Sequence, residues 1–101
     1  MNNTSPQVVE ALLSLLKDES ESVRDSAAFA LGNTSPQVVE ALLGLLKDES
    51  QIVRYFAAFA LGNLGNASPQ VVEALLGLLK DESQIVRYFA AFALGNLGNA
   101  S

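Results

Sequence analysis

Cysteine, histidine and tryptophan are absent from the sequence, and basic residues are few. Without cysteine and histidine, the chain has no disulfide framework, no thiol nucleophile, no imidazole base and none of the usual zinc or haem ligands. Six basic residues stand against eleven acidic ones, which gives a formal net charge of −5. Because nucleic acids and anionic membranes are bound through positive surface, neither is an expected partner.

The sequence also lacks a long apolar run. No stretch of about 18 consecutive apolar residues could span a bilayer, and no charged-then-apolar leader opens the chain. We therefore expect a soluble, cytoplasmic protein with no membrane partner. Half of the 101 residues are hydrophobic, which is enough to build one domain with a substantial core.

What the sequence does contain is a tandem repeat. Residues 35–67 and 68–100 are the same 33-residue string, and a first copy matches 24 of the 29 residues from 5 to 33. The copies begin at residues 5, 35 and 68, so their spacing is 30 and then 33. We divide the single repeat domain, residues 1–101, into unit 1 (5–34), unit 2 (35–67) and unit 3 (68–100). Two identical copies indicate either a recent amplification or an engineered, consensus-like array.

Each unit has the pattern of two helices. In unit 2, Ser35 suits the N-cap and Pro36 the first helical position of a helix that is apolar over more than half of its surface. Ser50 suits the N-cap of a second helix that runs to about Leu64, with Gly65 as its left-handed C-cap. A helix with so wide an apolar surface must be covered on two sides, by its partner helix and by neighbouring units.

Unit 1 ends about one helical turn early, since GNT stands where the later units have GNLGNA. The missing residues are the counterparts of Leu64 and of the Gly65 C-cap. We therefore expect the second helix of unit 1 to end near Leu31. We also expect the angle and register between units 1 and 2 to differ from those between units 2 and 3.

The string DES-x-x-VR-x-x-AA-x-ALG-x-LG, preceded by VVEALL-x-LLKD, resembles a HEAT repeat, and more narrowly the short HEAT-like repeat first named from phycobilisome lyases. The resemblance covers residues 5–100. It implies an all-α fold: a short right-handed α-solenoid of three HEAT-like helical hairpins, six helices in all, with the second helices on the concave side. It also implies that the acid before each second helix pairs with the arginine inside it. The implied structural ion pairs are Asp18 with Arg24, Asp48 with Arg54, and Asp81 with Arg87.

The second helix of unit 2 carries two apolar stripes. Val53, Ala57 and Leu61 belong to a stripe of small and branched residues that we assign to the core. The other stripe is aromatic, and in the resembling family its positions vary and carry the contacts of binders built on the fold. In units 2 and 3 these candidate partner-binding residues are Gln51, Ile52, Tyr55, Phe56, Phe59, Asn63, Gln84, Ile85, Tyr88, Phe89, Phe92 and Asn96.

Unit 1 differs from the other units mainly along this second stripe. Four of its five substitutions fall there, each to a polar residue, and they are Glu21, Ser22, Asp25 and Ser26. The copies thus differ at the positions where a partner would bind, which favours a binding or self-associating surface. The other interpretation is that the aromatic residues are core, because short arrays pack their second helices tightly.

No residue pattern indicates catalysis. The Asp-Glu pairs at 18–19, 48–49 and 81–82 follow the first helices in turns, without an apolar pocket to raise a pKa. One branch of the resembling family implies a chromophore-lyase role, but the missing histidine and cysteine argue against it. We expect no enzyme activity, no cofactor and no metal site.

The expected function is a non-catalytic scaffold whose concave Ile/Tyr/Phe face binds a protein or peptide, or a second copy of the chain. The alternative is a purely structural building block of a repeat array, with no external ligand. Unit 3 has the sequence of an internal unit and no polar outer face. We therefore expect a homo-oligomer, most simply a dimer with concave face on concave face, with end-to-end stacking or swapping as other geometries.

Overall fold

The computed structural model describes residues 5–32 and 38–99, and these residues form helices joined by turns, without a strand. The helices are α1 (Pro6–Leu15), α2 (Glu21–Leu31), α3 (Val38–Leu45), α4 (Gln51–Leu64), α5 (Pro69–Leu78) and α6 (Gln84–Asn99). Consecutive pairs pack as helical hairpins, one in each unit. The predicted all-α architecture is confirmed.

The helix starts follow from local capping chemistry. Ser68 has extended backbone, Pro69 takes the first helical position of α5, and the Ser68 hydroxyl accepts a hydrogen bond from the Val71 N–H at 3.5 Å. Ser50 likewise precedes α4 with extended backbone, as predicted. The predicted cap at residues 35 and 36 lies outside the described residues.

The helix ends differ between units of the same sequence. α2 ends at Leu31, as the shortened unit predicts. α4 ends at Leu64, and its C-cap Gly65 has a φ of 74°, the left-handed conformation predicted for this position. In α6 the equivalent Gly98 continues the helix to Asn99. The turn after Gly65 is held by the Asn66 side chain, whose Oδ1 accepts the Ser68 N–H at 2.9 Å.

The second helices form one layer in which α4 packs between α2 and α6, while each first helix packs on the second helix of its own unit. The stripe assigned to the core is buried in α4, where Val53, Ala57 and Leu61 are at most 1% exposed. Leucines of the first helices, Leu42 and Leu75, complete the core beneath the layer. In the described part of the chain, no helix has both the length and the apolar character needed to cross a membrane.

Candidate functional site

The turn between the two helices of each unit is ordered by its aspartate. The carboxylate accepts a hydrogen bond from the backbone N–H two residues later, in the manner of an Asx turn. These contacts are 2.9 Å from Ser20 to Asp18, 3.0 Å from Ser50 to Asp48 and 2.9 Å from Ser83 to Asp81. In each unit this carboxylate therefore fixes the start of the second helix.

The arginine of the second helix binds the backbone of the same turn. Arg54 Nη1 donates to the carbonyl oxygens of Asp48 and Glu49 at 2.8 and 2.9 Å. Arg24 makes the same two contacts in unit 1, and Arg87 makes one of them in unit 3. The ion pairs predicted within each unit (Asp18–Arg24, Asp48–Arg54 and Asp81–Arg87) are thus corrected: the arginine contacts the main chain of the turn, and the carboxylate caps the backbone.

The arginine of unit 2 also reaches the aspartate of unit 3. Arg54 Nε lies 3.1 Å from Asp81 Oδ1, and Nη2 donates to Oδ2 at 3.2 Å. Both side chains are largely buried, at 11% and 13% exposure. A charged pair of this burial stabilises only where its geometry is good and its other polar atoms are bonded. Here the carboxylate and guanidinium also bond their own turns, so the pair links two ordered turns across the junction.

The junction between units 1 and 2 lacks this link. Within the described residues Arg24 has no carboxylate partner. Its buried Nε, like that of Arg54, forms no hydrogen bond with any of these residues, so the missing ion pair is what distinguishes this junction. The guanidinium lies 5.8 Å from the centre of the Phe56 ring, a cation–π distance. Asp48 is approached instead by Lys17, whose Nζ is 3.8 Å from Oδ1 and whose side chain is 62% exposed.

The surroundings of two glycines show that neighbouring second helices align in a different register at the two junctions. A Cβ on Gly62 would meet the Cα and Cβ of Ala93 at 2.9 Å, so α4 and α6 approach closely there. A Cβ on the equivalent Gly32, the C-cap of α2, would instead meet the Cβ of Asn63. The residue of unit 2 that corresponds to Ala93 is Ala60, three positions earlier. The two junctions differ by three residues, about one helical turn. The predicted change of register is confirmed.

Two of the predicted partner-binding residues are buried within the chain. Tyr55 and Phe56 are 7% and 3% exposed. The Tyr55 ring stacks on Phe89 of the next unit, with centroids 5.1 Å apart, and Phe59 meets Phe89 edge-on at 5.7 Å. The expectation that Tyr55 and Phe56 are exposed on the concave face is wrong. Phe89 of α6 stacks on Tyr55, and the Phe56 ring lies against Tyr55 and within 5.8 Å of the Arg24 guanidinium of α2.

The equivalent residues of unit 3 are largely open, although the sequence is the same. Tyr88 is 63% exposed, Phe92 44% and Ile85 40%, while Phe89 is half-buried against α4. Among the remaining predicted positions, the exposed ones are Gln51, Asn63 and Gln84, and the half-buried ones are Ile52, Phe59 and Asn96.

One exposed aromatic residue was missing from the predicted set. Phe29 of α2 is 61% exposed and occupies the position of Phe59 and Phe92 in the other units. We call Phe29, Phe59 and Phe92 the phenylalanine row. The sequence carried a signal for it, since Phe29 is the one aromatic residue that unit 1 retains. Among the described residues no group of three or more acidic side chains is close enough to hold a metal ion.

Comparison with models of known protein families identifies the family of these repeat units. The model for HEAT repeats matches residues 39–101, more than half of the sequence. The chain belongs to the HEAT repeat family. The model for a HEAT-like repeat matches residues 1–34, and that for the PBS lyase HEAT-like repeat matches residues 23–48. HEAT arrays present extended surfaces made of stacked helices and generally serve as protein-interaction scaffolds.

The fold is also similar to that of a solved crystal structure of an engineered protein. The two chains superpose with a TM-score of 0.57 at 27% identity, over 94% of this chain and 47% of the other. This chain thus spans about half the length of that structure. No curated protein matches the sequence.

Proposed function

We propose that this HEAT repeat protein is a non-catalytic, cytoplasmic scaffold that binds a protein or peptide, a second copy of the chain included, along its second helices. The observation that carries the proposal is the phenylalanine row, of which Phe29 and Phe92 are 61% and 44% exposed. The rings of Phe59 and Phe92 lie side by side with centroids 6.4 Å apart, and apolar side chains that are exposed together on one surface mark interaction sites. The cytoplasmic part of the proposal rests on the sequence alone.

The chemistry along the second helices indicates the kind of partner. At the unit 3 end the exposed side chains include the aliphatic Ile85 and the aromatic Phe92. At the unit 1 end the exposed side chains include the carboxylates of Glu21 and Asp25. The amide of Asn63 is exposed between them and can bond a peptide backbone. This polarity favours a peptide with apolar anchors at one end and lysine or arginine at the other.

A selection from a random peptide library tests the proposal. Peptides enriched on the intact chain are titrated against Phe29→Ser and Phe92→Ser variants, with Leu76→Ser as the matched control. Leu76 is 48% exposed but lies on α5, away from the row. We expect each row variant to weaken binding about thirtyfold, because a buried phenylalanine contributes on the order of 2 kcal/mol. An equal loss in the Leu76 variant, or no enrichment at all, contradicts the proposal.

The second candidate function is a structural building block of a repeat array with no external ligand. The observation that favours it is the burial of Tyr55 and Phe56 between units, since these aromatic residues serve the array itself. The engineered origin of the similar structure also fits this alternative.

Exchanging aromatic residues for those of unit 1 separates the two functions. We expect Tyr55→Asp with Phe56→Ser to abolish the helical circular dichroism signal, because both side chains are core. Tyr88→Asp leaves the helices intact, since that ring is 63% exposed. If Tyr88→Asp and the row variants change neither peptide binding nor oligomeric mass, the building block is the better description.

A further inference from the structure

A stripe along α6 is exposed although most of its twin along α4 is covered. In α6 it consists of Gln84, Arg87, Tyr88, Ala91 and Gly95, all exposed, at the spacing of one helix face. We call these five residues the edge stripe. Gly95 has open space where a Cβ would stand. The twin residues in α4 are Gln51, Arg54, Tyr55, Ala58 and Gly62.

The twin stripe in α4 shows what such a surface binds. Arg54 pairs with Asp81, and Tyr55 stacks on Phe89. Gln51 Oε1 accepts the Ser83 hydroxyl at 2.5 Å. Gly62 lies against Ala93, and Ala58 is fully buried. The partner surface therefore has four elements, which are the turn aspartate, the turn serine, a phenylalanine and an alanine one turn further along the helix.

We propose that the edge stripe of α6 binds the leading face of unit 1 in a second copy of this chain, head to tail, and that Ser26 keeps this contact weak. Unit 1 offers three of the four elements. Asp18 and Ala30 are half-buried and Ser20 is exposed, in the positions of Asp81, Ala93 and Ser83. The Asp18 carboxylate already accepts the Ser20 N–H, as Asp81 accepts that of Ser83.

The fourth element is changed in unit 1. Ser26 stands where Phe89 stacks on Tyr55, and it is exposed. In the second-copy contact, Tyr88 would therefore meet a hydroxymethyl group in place of a ring. Such a contact is heterologous, so each copy that binds leaves a new edge stripe open. The proposal concerns the edge of the array and is independent of the phenylalanine row.

Light scattering over about a hundredfold range of concentration tests the proposal on the intact chain. For the wild type we expect a mass that rises with concentration past twice 10.7 kDa without levelling at a dimer. Ser26→Phe restores the missing ring, and we expect it to reach the same mass at about tenfold lower concentration. Circular dichroism checks that each variant keeps its helices.

Two glycine variants locate the contact. Gly95→Leu places a side chain on the edge stripe where the approach must be closest, and we expect it to remain monomeric, alone and combined with Ser26→Phe. Gly77→Leu is the matched control, since Gly77 is equally open but lies on α5. We expect it to associate like the wild type.

Several outcomes overturn the inference. The inference fails if the wild type stays monomeric at the highest concentration. It also fails if Gly95→Leu leaves association unchanged, or if Ser26→Phe does not strengthen it. A different result would be a wild-type mass that levels at a dimer, with the dimer lost in Phe92→Ser and kept in Gly95→Leu. That result would assign self-association to the phenylalanine row, in the face-to-face geometry. In that case the proposed function stands and the head-to-tail contact fails.

Discussion

The two junctions of this chain join nearly the same units but are built differently. Between units 2 and 3, Arg54 pairs with Asp81, Tyr55 stacks on Phe89 and Gly62 lies against Ala93. Between units 1 and 2, the corresponding Arg24 has no carboxylate partner among the described residues, and Asp48 is approached by an exposed lysine. Charge complementarity is therefore present in the sequence of both junctions and realised in one.

We attribute the difference to the length of unit 1. Unit 1 is three residues shorter, and α2 has 11 residues where α4 has 14. A shift of three residues moves facing side chains about 4.5 Å along the helix axis, which is more than a hydrogen bond can bridge. In a stacked repeat, the spacing of the units thus decides which of their matching groups meet.

The largest expected effect comes from filling the close approach at the second junction. Gly62→Leu puts a side chain where Ala93 lies 2.9 Å from the Cβ position, and we expect a loss of about 3 kcal/mol in the free energy of unfolding. Urea denaturation measures it. Gly95→Leu is the control, because it has the same helical sequence context and the same gain in helix propensity but meets nothing within 4 Å. Equal stability of the two variants would contradict the packing argument.

The second-largest expected effect is the loss of stability when the turn aspartate of unit 3 is neutralised, compared with the same change in unit 2. Asp81→Asn keeps an oxygen to cap the turn but removes the charge that Arg54 pairs with, and we expect a loss of about 2 kcal/mol in unfolding free energy. Asp48→Asn removes a charge whose partner, Lys17, is exposed at 3.8 Å, and we expect about 0.5 kcal/mol or less. Denaturation of both variants at low and high salt checks this. If Asp48→Asn costs as much as Asp81→Asn, the junctions do not differ as described.

The smallest expected effect comes from restoring the missing length of unit 1. Replacing Thr34 by Leu-Gly-Asn-Ala gives unit 1 the spacing of unit 2, and we expect the extended helix to bring Arg24 to Asp48. In a double-mutant cycle on these two residues, the coupling energy should rise from near zero to about 1 kcal/mol. The same cycle on the unmodified chain is the control. An unchanged coupling energy would show that length alone does not set the register.

Features set by local chemistry could be predicted from the sequence. Ser50 and Gly65 flank α4 at the predicted positions, because the extended backbone before a helix and the left-handed backbone after it depend on residues within one turn. The Val53–Ala57–Leu61 stripe is core, because helical periodicity fixes which side chains share a face. The early end of α2 at Leu31 followed from the missing residues.

Features set by the neighbouring helix could not. Tyr55 and Tyr88 have identical sequence surroundings, yet one is 7% and the other 63% exposed. No pattern within a unit distinguishes them, since the difference is whether another helix lies alongside. The arginine contacts were missed for a related reason: main-chain carbonyls have no sequence signature, and the Asp81 carboxylate that Arg54 reaches is 27 residues away.

The position of α4 between two helices has a consequence for local unfolding. Units 2 and 3 share one sequence, so their intrinsic helix stabilities are equal, and only the contacts with neighbours separate them. Amide hydrogens of α6 should therefore exchange with solvent through partial openings that leave α4 folded, while those of α4 exchange only when the whole chain unfolds. Identical peptide segments would then differ in exchange rate by the free energy of one junction, which makes the chain its own reference for measuring it.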